Sequence, residues 1–216
     1  MSDIVHKWYE DKKNVDEMVC WNRGELKKWE RAVTNFFPKG AQILDIGCVM
    51  GREAFALSDL GFSIKGIDIS KEVIKQVAKL SLKNCYDIDF LVYDGYTLPF
   101  DDASFEVIII WAQTFGLLYG DTYKSNFLNE CKRVLKKDGL LSFSSHDYDY
   151  LMEHHKQYLS GRKFYPYANT EIYWEAFLPQ ELLNYVENAG FSVVICEHGK
   201  IHKTEDGVVL HCLCRK

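Results

Sequence analysis

Hydrophobic and polar positions alternate with two different periods along the first two thirds of the chain. Short apolar runs rich in Ile, Val, Leu and Phe are typical of buried β-strands, and five occur in order: "AQILDIG", "SIKGIDI", "DIDFLVYD", "FEVIIIWA" and "LLSFSSH". Three segments with the helical period lie among them: "GREAFALSDLG", "SKEVIKQVAKLSLKN" and "DTYKSNFLNECKRVLKKDG". This alternation predicts right-handed βαβ crossovers and a parallel sheet with helices on both faces.

Residues typical of helix ends mark two of these helices. Ser70 is a good N-cap for the second helix. The third helix is predicted to begin at Asp121 and to end with Lys136, Lys137 and a stopping Gly139, an arrangement that suits the helix dipole.

The pattern changes after residue 146. Residues 147–177 form a long, polar and aromatic segment without a clean period. A further helix follows, with Pro179 early and Gly190 as its stop. Two strands, "FSVVICEHG" and "GVVLHCLCR", close the chain, and the loop between them is too short for a crossover, so they are predicted to pair antiparallel. We therefore expect one domain over residues 1–216 that carries one insertion.

Composition and charge narrow the class of protein. A length of 216 residues suffices for one well-cored domain, and a net charge of −5 disfavours a nucleic-acid partner. No stretch approaches the roughly 18 apolar residues of a membrane span, and the charged N-terminus does not resemble a signal peptide. The seven cysteines contain no CxxC pair, which favours free thiols over metal ligands. We expect a protein of the reducing cytoplasm, without a metal, a membrane or a nucleic acid as partner.

Acidic residues stand where three successive predicted strands end. Asp45 lies in the turn after the first strand, Asp68 ends the second and Asp94 ends the third. In an open parallel sheet, ligands bind beyond the carboxyl ends of the strands. An acid at the end of the second strand commonly accepts hydrogen bonds from ribose hydroxyls. The spacing therefore predicts a site for an adenosine-containing ligand.

The loop "ILDIGCVMG" discriminates among the ligands of that kind. A dinucleotide fingerprint needs GxGxxG, whereas here Gly47 is separated from Gly51 by three other residues, and Val49 restricts the left-handed backbone that glycine allows. The P-loop pattern is absent as well. An acid just before the first glycine disfavours a pyrophosphate and suits a cationic ligand without phosphate. S-adenosylmethionine, with its sulfonium and ammonium groups, is such a ligand.

Four segments resemble the successive motifs of class I S-adenosylmethionine-dependent methyltransferases: "ILDIGCVMG", "GIDIS", "YDGYTLPFDDASFEVIIIW" and "CKRVLKKDGLLSFS". The resemblance covers residues 40–145 and is closest to the small-molecule enzymes. It implies an α/β, Rossmann-like three-layer sandwich whose seven-stranded, mostly parallel sheet has the order 3-2-1-4-5-7-6 and an antiparallel last strand. It also implies S-adenosyl-L-methionine as cofactor, S-adenosyl-L-homocysteine as product and a small molecule as methyl acceptor.

Carried over residue by residue, the resemblance implies a cofactor site along the three strand ends. The residues expected around the methionine portion are Asp45, Gly47, Cys48, Gly51 and Trp111. The residues expected around the ribose and adenine are Asp68, Ile69, Asp94, Gly95 and Tyr96. The backbone N–H of Gly95 or Tyr96 is expected to meet the adenine ring. Val49 departs from the family, which usually has glycine at that position.

Candidates for the acceptor side follow the fourth and fifth strands. Methyl transfer from a sulfonium is an in-line displacement, so alignment and the exclusion of water supply most of the rate. His146, at the end of the fifth strand, is the leading candidate for a general base; alternatively it caps the strand or binds substrate. Gln113 and Asp147 are expected to contact the acceptor.

The two least regular parts of the chain are expected to cover the site. Aromatic rings with polar tips crowd residues 147–177 and suit an apolar or cationic small molecule, although some of them are expected to form a satellite core. The insertion residues expected at the substrate are Tyr148, Tyr173 and Trp174. Residues 1–38 are expected to form a helical lid, from which Arg23 either pairs with the cofactor carboxylate or remains solvated.

Two other classes of function remain open at this stage. A nicotinamide-dependent Rossmann enzyme is disfavoured by the glycine spacing. A non-catalytic S-adenosylmethionine-binding domain that acts through partners is compatible with Val49, whereas the intact acids at all three strand ends favour an enzyme. No motif encodes the acceptor atom or the oligomeric state.

Overall fold

The computed structural model describes residues 3–21, 25–159, 163–166, 172–201 and 207–216. Its helices are α1 (Asp3–Glu10), α2 (Lys12–Trp21), α3 (Lys28–Val33), α4 (Arg52–Asp59), α5 (Lys71–Lys83), α6 (Asp121–Val134), α7 (Tyr148–His154) and α8 (Pro179–Asn188). Its strands are β1 (Gln42–Ile46), β2 (Ser63–Asp68), β3 (Asp89–Val92), β4 (Phe105–Ile110), β5 (Leu135–Asp147), β6 (Phe164–Pro166), β7 (Tyr173–Phe177), β8 (Ser192–Lys200) and β9 (Val208–Arg215). None of these described helices is long and apolar enough to cross a membrane.

The sheet has the predicted order and directions. β1 lies between β2 and β4, with β3 beyond β2 and β5 beyond β4, and all of these pairs are parallel. β9 pairs antiparallel with β5, and β8 pairs antiparallel with β9. Since β8 and β9 are the sixth and seventh of the predicted strands, this arrangement confirms the order 3-2-1-4-5-7-6 and the antiparallel last strand.

Two helices begin where their capping residues predict. The Ser70 hydroxyl accepts a hydrogen bond from the Val73 N–H at 3.0 Å at the start of α5. At the start of α8, the Glu181 carboxylate accepts the N–H of Leu178 at 2.9 Å. These bonds satisfy backbone donors that a helix start leaves unpaired.

The C-terminal end of α6 differs from the prediction. The helix begins at Asp121 as expected but ends at Val134, before the two lysines. Leu135 already pairs with Phe105 in the sheet, so β5 begins there. The Lys136 ammonium pairs with the Glu106 carboxylate instead of lying in the last helical turn.

A short hairpin of β6 and β7 stands at the carboxyl edge of the sheet and was not predicted. The last residue of β4 pairs with Phe143 of β5, and β7 pairs in parallel with β5 further on, at His146 and Asp147. β7 therefore occupies the place beyond the end of β4. Gly116 permits this close approach, because a Cβ there would lie 2.7 Å from the carbonyl oxygen of Glu175.

The core lies on both faces of the sheet, as the continuous apolar runs predict. Alternate residues of β4 serve the two faces: Ile108 and Ile110 pack with the residues of α6 and α8, and Val107 and Ile109 pack with those of α3 and α4. All four side chains are fully buried, and each such burial contributes about 1.5–3 kcal/mol. The sheet is thereby a rigid support for the loops at its carboxyl edge.

Candidate functional site

Three cavities lined by described residues form one cleft along the carboxyl edge of the sheet. The central cavity lies beside Asp68 and shares Ile69 and Tyr93 with an outer cavity near Asp94. It shares Gly47 and Val49 with an inner cavity near Gln113 and Trp174. The residues that line the cleft therefore come from the ends of β1, β2, β3 and β4 and from β7, with further ones from α1 and α2.

The turn after β1 forms the floor between the central and inner cavities. Gly47 has φ of +77°, and a Cβ on it would lie 2.8 Å from Cγ2 of Thr114, so only glycine fits there. Val49 adopts φ of +42°, an uncommon conformation for a β-branched residue. Its N–H donates to the Asp68 carboxylate at 3.3 Å, which connects the first two strand ends. The valine that departs from the family pattern thus adopts the left-handed backbone nevertheless.

Asp68 is the acid at the centre of the cleft. Its side chain is 4% exposed, and its two oxygens accept hydrogen bonds from different backbone groups, Val49 N–H at 3.3 Å and Ser70 N–H at 3.0 Å. Burial raises the pKa of Asp68 to about 6, although these backbone hydrogen bonds act to lower it. Each oxygen retains a second acceptor position, so the fixed carboxylate can still bind two hydroxyl groups.

The outer cavity is lined by Asp94 and Tyr96. The Asp94 carboxylate accepts the N–H groups of Tyr96 at 2.7 Å and Thr97 at 2.8 Å, and these bonds hold the pKa of Asp94 below its ordinary value. The Tyr96 N–H is therefore already used, which corrects the expectation that it meets an adenine ring. Gly95 does not line the cavity; its carbonyl oxygen accepts a hydrogen bond from the Tyr123 hydroxyl.

Asp45 lies behind the glycine turn and lines none of these cavities. Its side chain is 2% exposed, and one of its oxygens, Oδ2, has no hydrogen-bond partner among the described residues. Burial and the neighbouring Glu53 carboxylate raise the pKa of Asp45 well above its ordinary value. A raised pKa means that Asp45 holds its proton more readily than an ordinary carboxyl group, and its unsatisfied oxygen is an open hydrogen-bonding position behind the glycine turn.

A buried charge cluster of Lys27, Glu30, Arg52 and Glu53 joins α3 to the start of α4. The Arg52 guanidinium donates to both oxygens of Glu30, at 2.7 and 2.8 Å, and also to Glu53. The Lys27 ammonium lies 3.5 Å from Glu30. Burial acts to raise the pKa of Glu30, but the hydrogen bonds from Arg52 and the charge of Lys27 outweigh it and leave that pKa below the ordinary value. Within the cluster two acids balance two bases, next to the inner cavity.

The inner cavity offers an amide donor within a largely apolar lining. Gln113 is 9% exposed, has φ of +63° and is fixed by its N–H, which donates to the Ser144 hydroxyl at 3.2 Å. Its Nε2 has no hydrogen-bond partner among the described residues. Trp174 of β7 and Met18 of α2 line the same cavity. A buried amide without a partner is costly, so this donor indicates a ligand oxygen at that point.

His146 lies one side chain behind the inner cavity. Its ring centroid is 5.1 Å from that of Trp174 and 5.4 Å from that of Tyr165. Burial lowers the pKa of His146 to about 4, with a smaller contribution from the charge of Lys27, so the imidazole is neutral at pH 7. Its Nε2 has no hydrogen-bond partner among the described residues. Trp174 lies between the His146 ring and the cleft, so His146 does not line the cleft.

Trp111 does not lie beside the cofactor cleft, in contrast to the expectation. Its indole N–H donates to the Ser142 hydroxyl at 2.8 Å. The ring packs between Trp29 and Phe37 in the core on the α3 side of the sheet. The reason is the strand alternation, because Trp111 continues the face of Val107 and Ile109.

Structural roles account for two further expected site residues, Asp147 and Gly51, whereas a third, Cys48, does line the cleft. The Asp147 carboxylate accepts the N–H groups that begin α7 and pairs with His198, so it is an N-cap and not a substrate contact. Gly51 has φ of +75° and begins α4 without lining the cleft. Cys48 lines the inner cavity, but its thiol is buried against Phe55 and Val77.

Three insertion residues were expected at the substrate. Of these, Trp174 lines the described cleft, whereas Tyr148 and Tyr173 do not. The backbone of Tyr173 instead binds the Tyr119 hydroxyl, and Tyr148 lies at the start of α7. Arg23 lies outside the described residues. Among the described residues, no group of three His, Cys, Asp or Glu side chains is arranged to hold a metal ion.

The sequence reasoning missed several residues that line the cleft. Val5 and Tyr9 of α1 cover the central cavity, and Thr114 faces Gly47 from the turn after β4. Tyr9 is also tied to this edge, since its carbonyl oxygen accepts the Ser70 hydroxyl at 2.7 Å. The apolar positions of α1 recur on one face, which is the signal that points to a packed helix there.

Known proteins match the chain in sequence and in fold. Residues 43–139 match the model of a methyltransferase domain family. The 2-methyl-6-phytyl-1,4-hydroquinone methyltransferase of Synechocystis is 35% identical over 105 residues, which cover 48% of this chain and 31% of that protein. The ubiquinone biosynthesis O-methyltransferase of Paraburkholderia phymatum is 26% identical over 196 residues, which cover 88% of this chain and 79% of that protein.

A solved structure shares the fold. The S-adenosylmethionine-dependent methyltransferase structure from Methanosarcina mazei superposes with a TM-score of 0.75 at 21% identity, covering 86% of this chain and 96% of that one. The four motifs, the topology and these matches make the chain similar to class I S-adenosylmethionine-dependent methyltransferases: residues 43–139 match a methyltransferase domain, and the solved structure shares the fold.

Proposed function

We propose that the protein transfers a methyl group from S-adenosylmethionine to a neutral, ring-bearing small molecule. The observation that carries the proposal is the continuous cleft, in which a buried acid with both oxygens fixed, Asp68, leads to an apolar cavity walled by Trp174. The first end suits a nucleoside and the second suits a flat apolar acceptor. The glycine turn at Gly47 joins the two.

The residues present fit this cofactor. Asp68 would bind the ribose hydroxyls, Ile69 and Tyr96 would pack on the base, and the backbone at Gly47 and Val49 would hold the methionine portion. The Asp68 carboxylate in the central cavity disfavours a pyrophosphate and suits a ligand with positive charge. When bound, the cofactor supplies an electrophilic methyl group on a sulfonium centre.

The lining of the inner cavity indicates the class of acceptor. The charged described residues that line it are Arg52 and Glu53, and both are already engaged in the buried cluster. Their pairing disfavours a phosphate or carboxylate on the acceptor. Trp174 and Met18 supply apolar surface, and Gln113 supplies one hydrogen-bond donor. These features suit a hydroxylated aromatic ring, and the names of the two curated relatives, with their hydroquinone and ubiquinone, point to the same class.

Alignment and the exclusion of water would supply most of the rate. Val5 and Tyr9 cover the central cavity from α1, which supports a role for residues 1–38 as a lid. Trp174 covers the inner cavity from β7, which supports a role for residues 147–177 as a substrate cover. The six cysteines whose side chains the structure describes are free thiols, which suits a reducing cytoplasm.

Calorimetric titration with S-adenosylmethionine, S-adenosylhomocysteine and NAD tests the cofactor. We expect the first two to bind and NAD not to bind. Transfer of a labelled methyl group is then measured on a panel of catechols, hydroquinones and phenols, with carboxylated and phosphorylated analogues as controls. Cofactor binding without transfer to any acceptor would favour the non-catalytic binding domain, and NAD binding would favour the nicotinamide enzyme.

The Gln113→Met variant tests the proposed acceptor contact. It keeps the length of the side chain but removes the donor, so we expect the KM for the acceptor to rise by about three- to tenfold with little change in the Kd of the cofactor. Gln180→Met, on the exposed face of α8, is the matched control. An unchanged KM for a hydroxylated acceptor would remove Gln113 from the acceptor site.

His146→Ala tests whether the imidazole acts as a base. If it does, we expect kcat to fall by about a hundredfold while the Kd of the cofactor stays within twofold. Because the pKa of His146 is lowered to about 4, its neutral form persists above that pH. At saturating cofactor, the kcat of the unmodified protein should therefore be lost only as the pH falls towards 4, and not near 6.5. His154→Ala, on α7, is the control, and an equal kcat in both variants would contradict the role.

A further inference from the structure

Two cysteines face each other across the last pair of strands. Cys196 of β8 and Cys212 of β9 are directly paired in the antiparallel register. Their sulfur atoms lie 2.9 Å apart, and the Cys212 thiol donates to the Cys196 sulfur. The methyltransferase proposal uses neither residue, and the pair lies on the α8 side of the sheet, away from the cleft.

The backbone geometry at this position permits a disulfide. Opposed Cα atoms in an antiparallel pair are separated by about 4.5–5.5 Å, and disulfides span Cα distances of about 4.4–6.8 Å. The two sulfurs would have to approach by less than about 1 Å to reach the bonded distance. No backbone rearrangement is needed for that step.

The two thiols differ in their access to solvent and in their acidity. Cys212 is fully buried, whereas Cys196 is half-buried, so a reagent from solution meets Cys196 first. The hydrogen bond from Cys212 lowers the pKa of Cys196, and the same contact together with burial raises the pKa of Cys212. The thiolate is the reactive form of cysteine. Cys196 is therefore the attacking thiol and Cys212 the resolving one.

We propose that Cys196 and Cys212 are a reversible thiol–disulfide site that is oxidised by a small-molecule disulfide of the glutathione type. The Cys196 thiolate attacks one sulfur of the reagent, which forms a mixed disulfide and releases one equivalent of the reagent's thiolate. Cys212 then loses its proton and attacks the Cys196 sulfur. This second step forms the Cys196–Cys212 bond and releases the second thiolate, so the protein gives up two electrons and the reagent accepts them.

The described cysteines provide internal controls. Cys85 is exposed and is not one of the two thiols that contact each other, so it is expected to stop at the mixed disulfide. Cys214 lies two residues further along the same strand and is buried, and in the register it is paired with Val193 and not with Cys196. It is therefore expected not to replace Cys212.

The experiment is the incubation of the reduced full chain with oxidised glutathione, followed by intact mass measurement and peptide mapping without reduction. We expect a peptide pair linked through Cys196 and Cys212, and its disappearance on addition of dithiothreitol. Cys212→Ala is expected to trap glutathione on Cys196, since the resolving thiol is gone, and Cys214→Ala is expected to form the same linked pair as the unmodified chain.

Two outcomes would overturn the proposal. One is that Cys196 stays unmodified under conditions in which Cys85 is fully glutathionylated. The other is that the mixed disulfide on Cys196 persists in the unmodified chain as it does in Cys212→Ala. If a variant fails to fold, the Cys196–Cys212 link mapped in the unmodified chain still decides the proposal. Neither the intact mass nor the peptide map depends on cofactor binding or methyl transfer.

Discussion

Asp68→Ala is expected to weaken S-adenosylmethionine binding by about 1.5–3 kcal/mol, which corresponds to a rise in Kd of roughly ten- to 150-fold. Hydrogen bonds between a ligand and a charged group are the stronger class, and this carboxylate would accept both ribose hydroxyls. The backbone N–H groups of Val49 and Ser70 hold its oxygens in place before any ligand arrives. Little orientational freedom is then lost on binding, so the whole contribution of the contact appears in the affinity.

Titration calorimetry of the unmodified chain and three variants isolates that contribution. Asp68→Asn keeps the shape of the side chain and removes the charge, so its Kd should fall between those of Asp68→Ala and the unmodified chain. Asp89→Asn, an exposed acid of β3 that pairs with Lys65, is the control and should bind as the unmodified chain does. Thermal unfolding must accompany the titrations, because Asp68 also satisfies the turn. A folded Asp68→Ala protein with unchanged Kd would remove Asp68 from the cofactor site.

The pH dependence of binding follows from the same carboxylate. Burial raises the pKa of Asp68 to about 6, so the free protein increasingly holds a proton there as the pH falls through 6. A ligand that needs two acceptor oxygens then competes with the proton, and its affinity should fall by up to about tenfold per pH unit below 6. The same pKa shift has the opposite effect on the stability of the free protein. The folded state holds the Asp68 proton more tightly than the unfolded state does, so the stabilisation that Asp68 contributes is lost as the pH rises from about 4 to 6. Asp68→Asn should lose the pH dependence of binding.

The strand order was predictable from the sequence because long apolar runs and helix caps act locally. The Ser70 hydroxyl accepts the N–H of Val73, three residues further along the chain. The buried strands are recognisable from their apolar composition. The acids at the strand ends were found for the same reason, since their positions follow from the strands. The β6–β7 hairpin was missed because its strands are short and mix aromatic with polar residues.

The direction of a side chain at a strand end was the less predictable part of the site. Trp111 was expected in the cleft. Successive residues of a strand point to opposite faces of the sheet, and Trp111 lies on the same core face as Val107. Asp147 was expected to bind substrate, but an acid just before a helix is equally suited to cap it. The contact between Glu30 and Arg52 joins residues 22 positions apart, and no local pattern encodes such a pair.

Arg52→Ala is expected to lower the free energy of unfolding by about 3–5 kcal/mol. Glu30 is fully buried, and its two oxygens receive the Arg52 guanidinium at 2.7 and 2.8 Å. Removing the arginine leaves Glu30, Glu53 and Asp45 with Lys27 as the one remaining cation of the buried cluster. For a chain of this size the loss corresponds to a decrease in Tm of about 6–20 °C. Chemical denaturation with an unchanged m-value measures it directly.

A control variant and a double variant show why Arg52→Ala is destabilising. Either the interactions of the Arg52 side chain are lost, or the Glu30 carboxylate is left buried without a partner. Lys65→Ala breaks an exposed ion pair with Asp89 and should cost under about 1 kcal/mol. If the orphaned charge is the cause, Arg52→Met combined with Glu30→Gln should be less destabilised than Arg52→Met alone, because the second substitution removes the unpaired carboxylate. An additive double variant would mean that Arg52 acts through its packing.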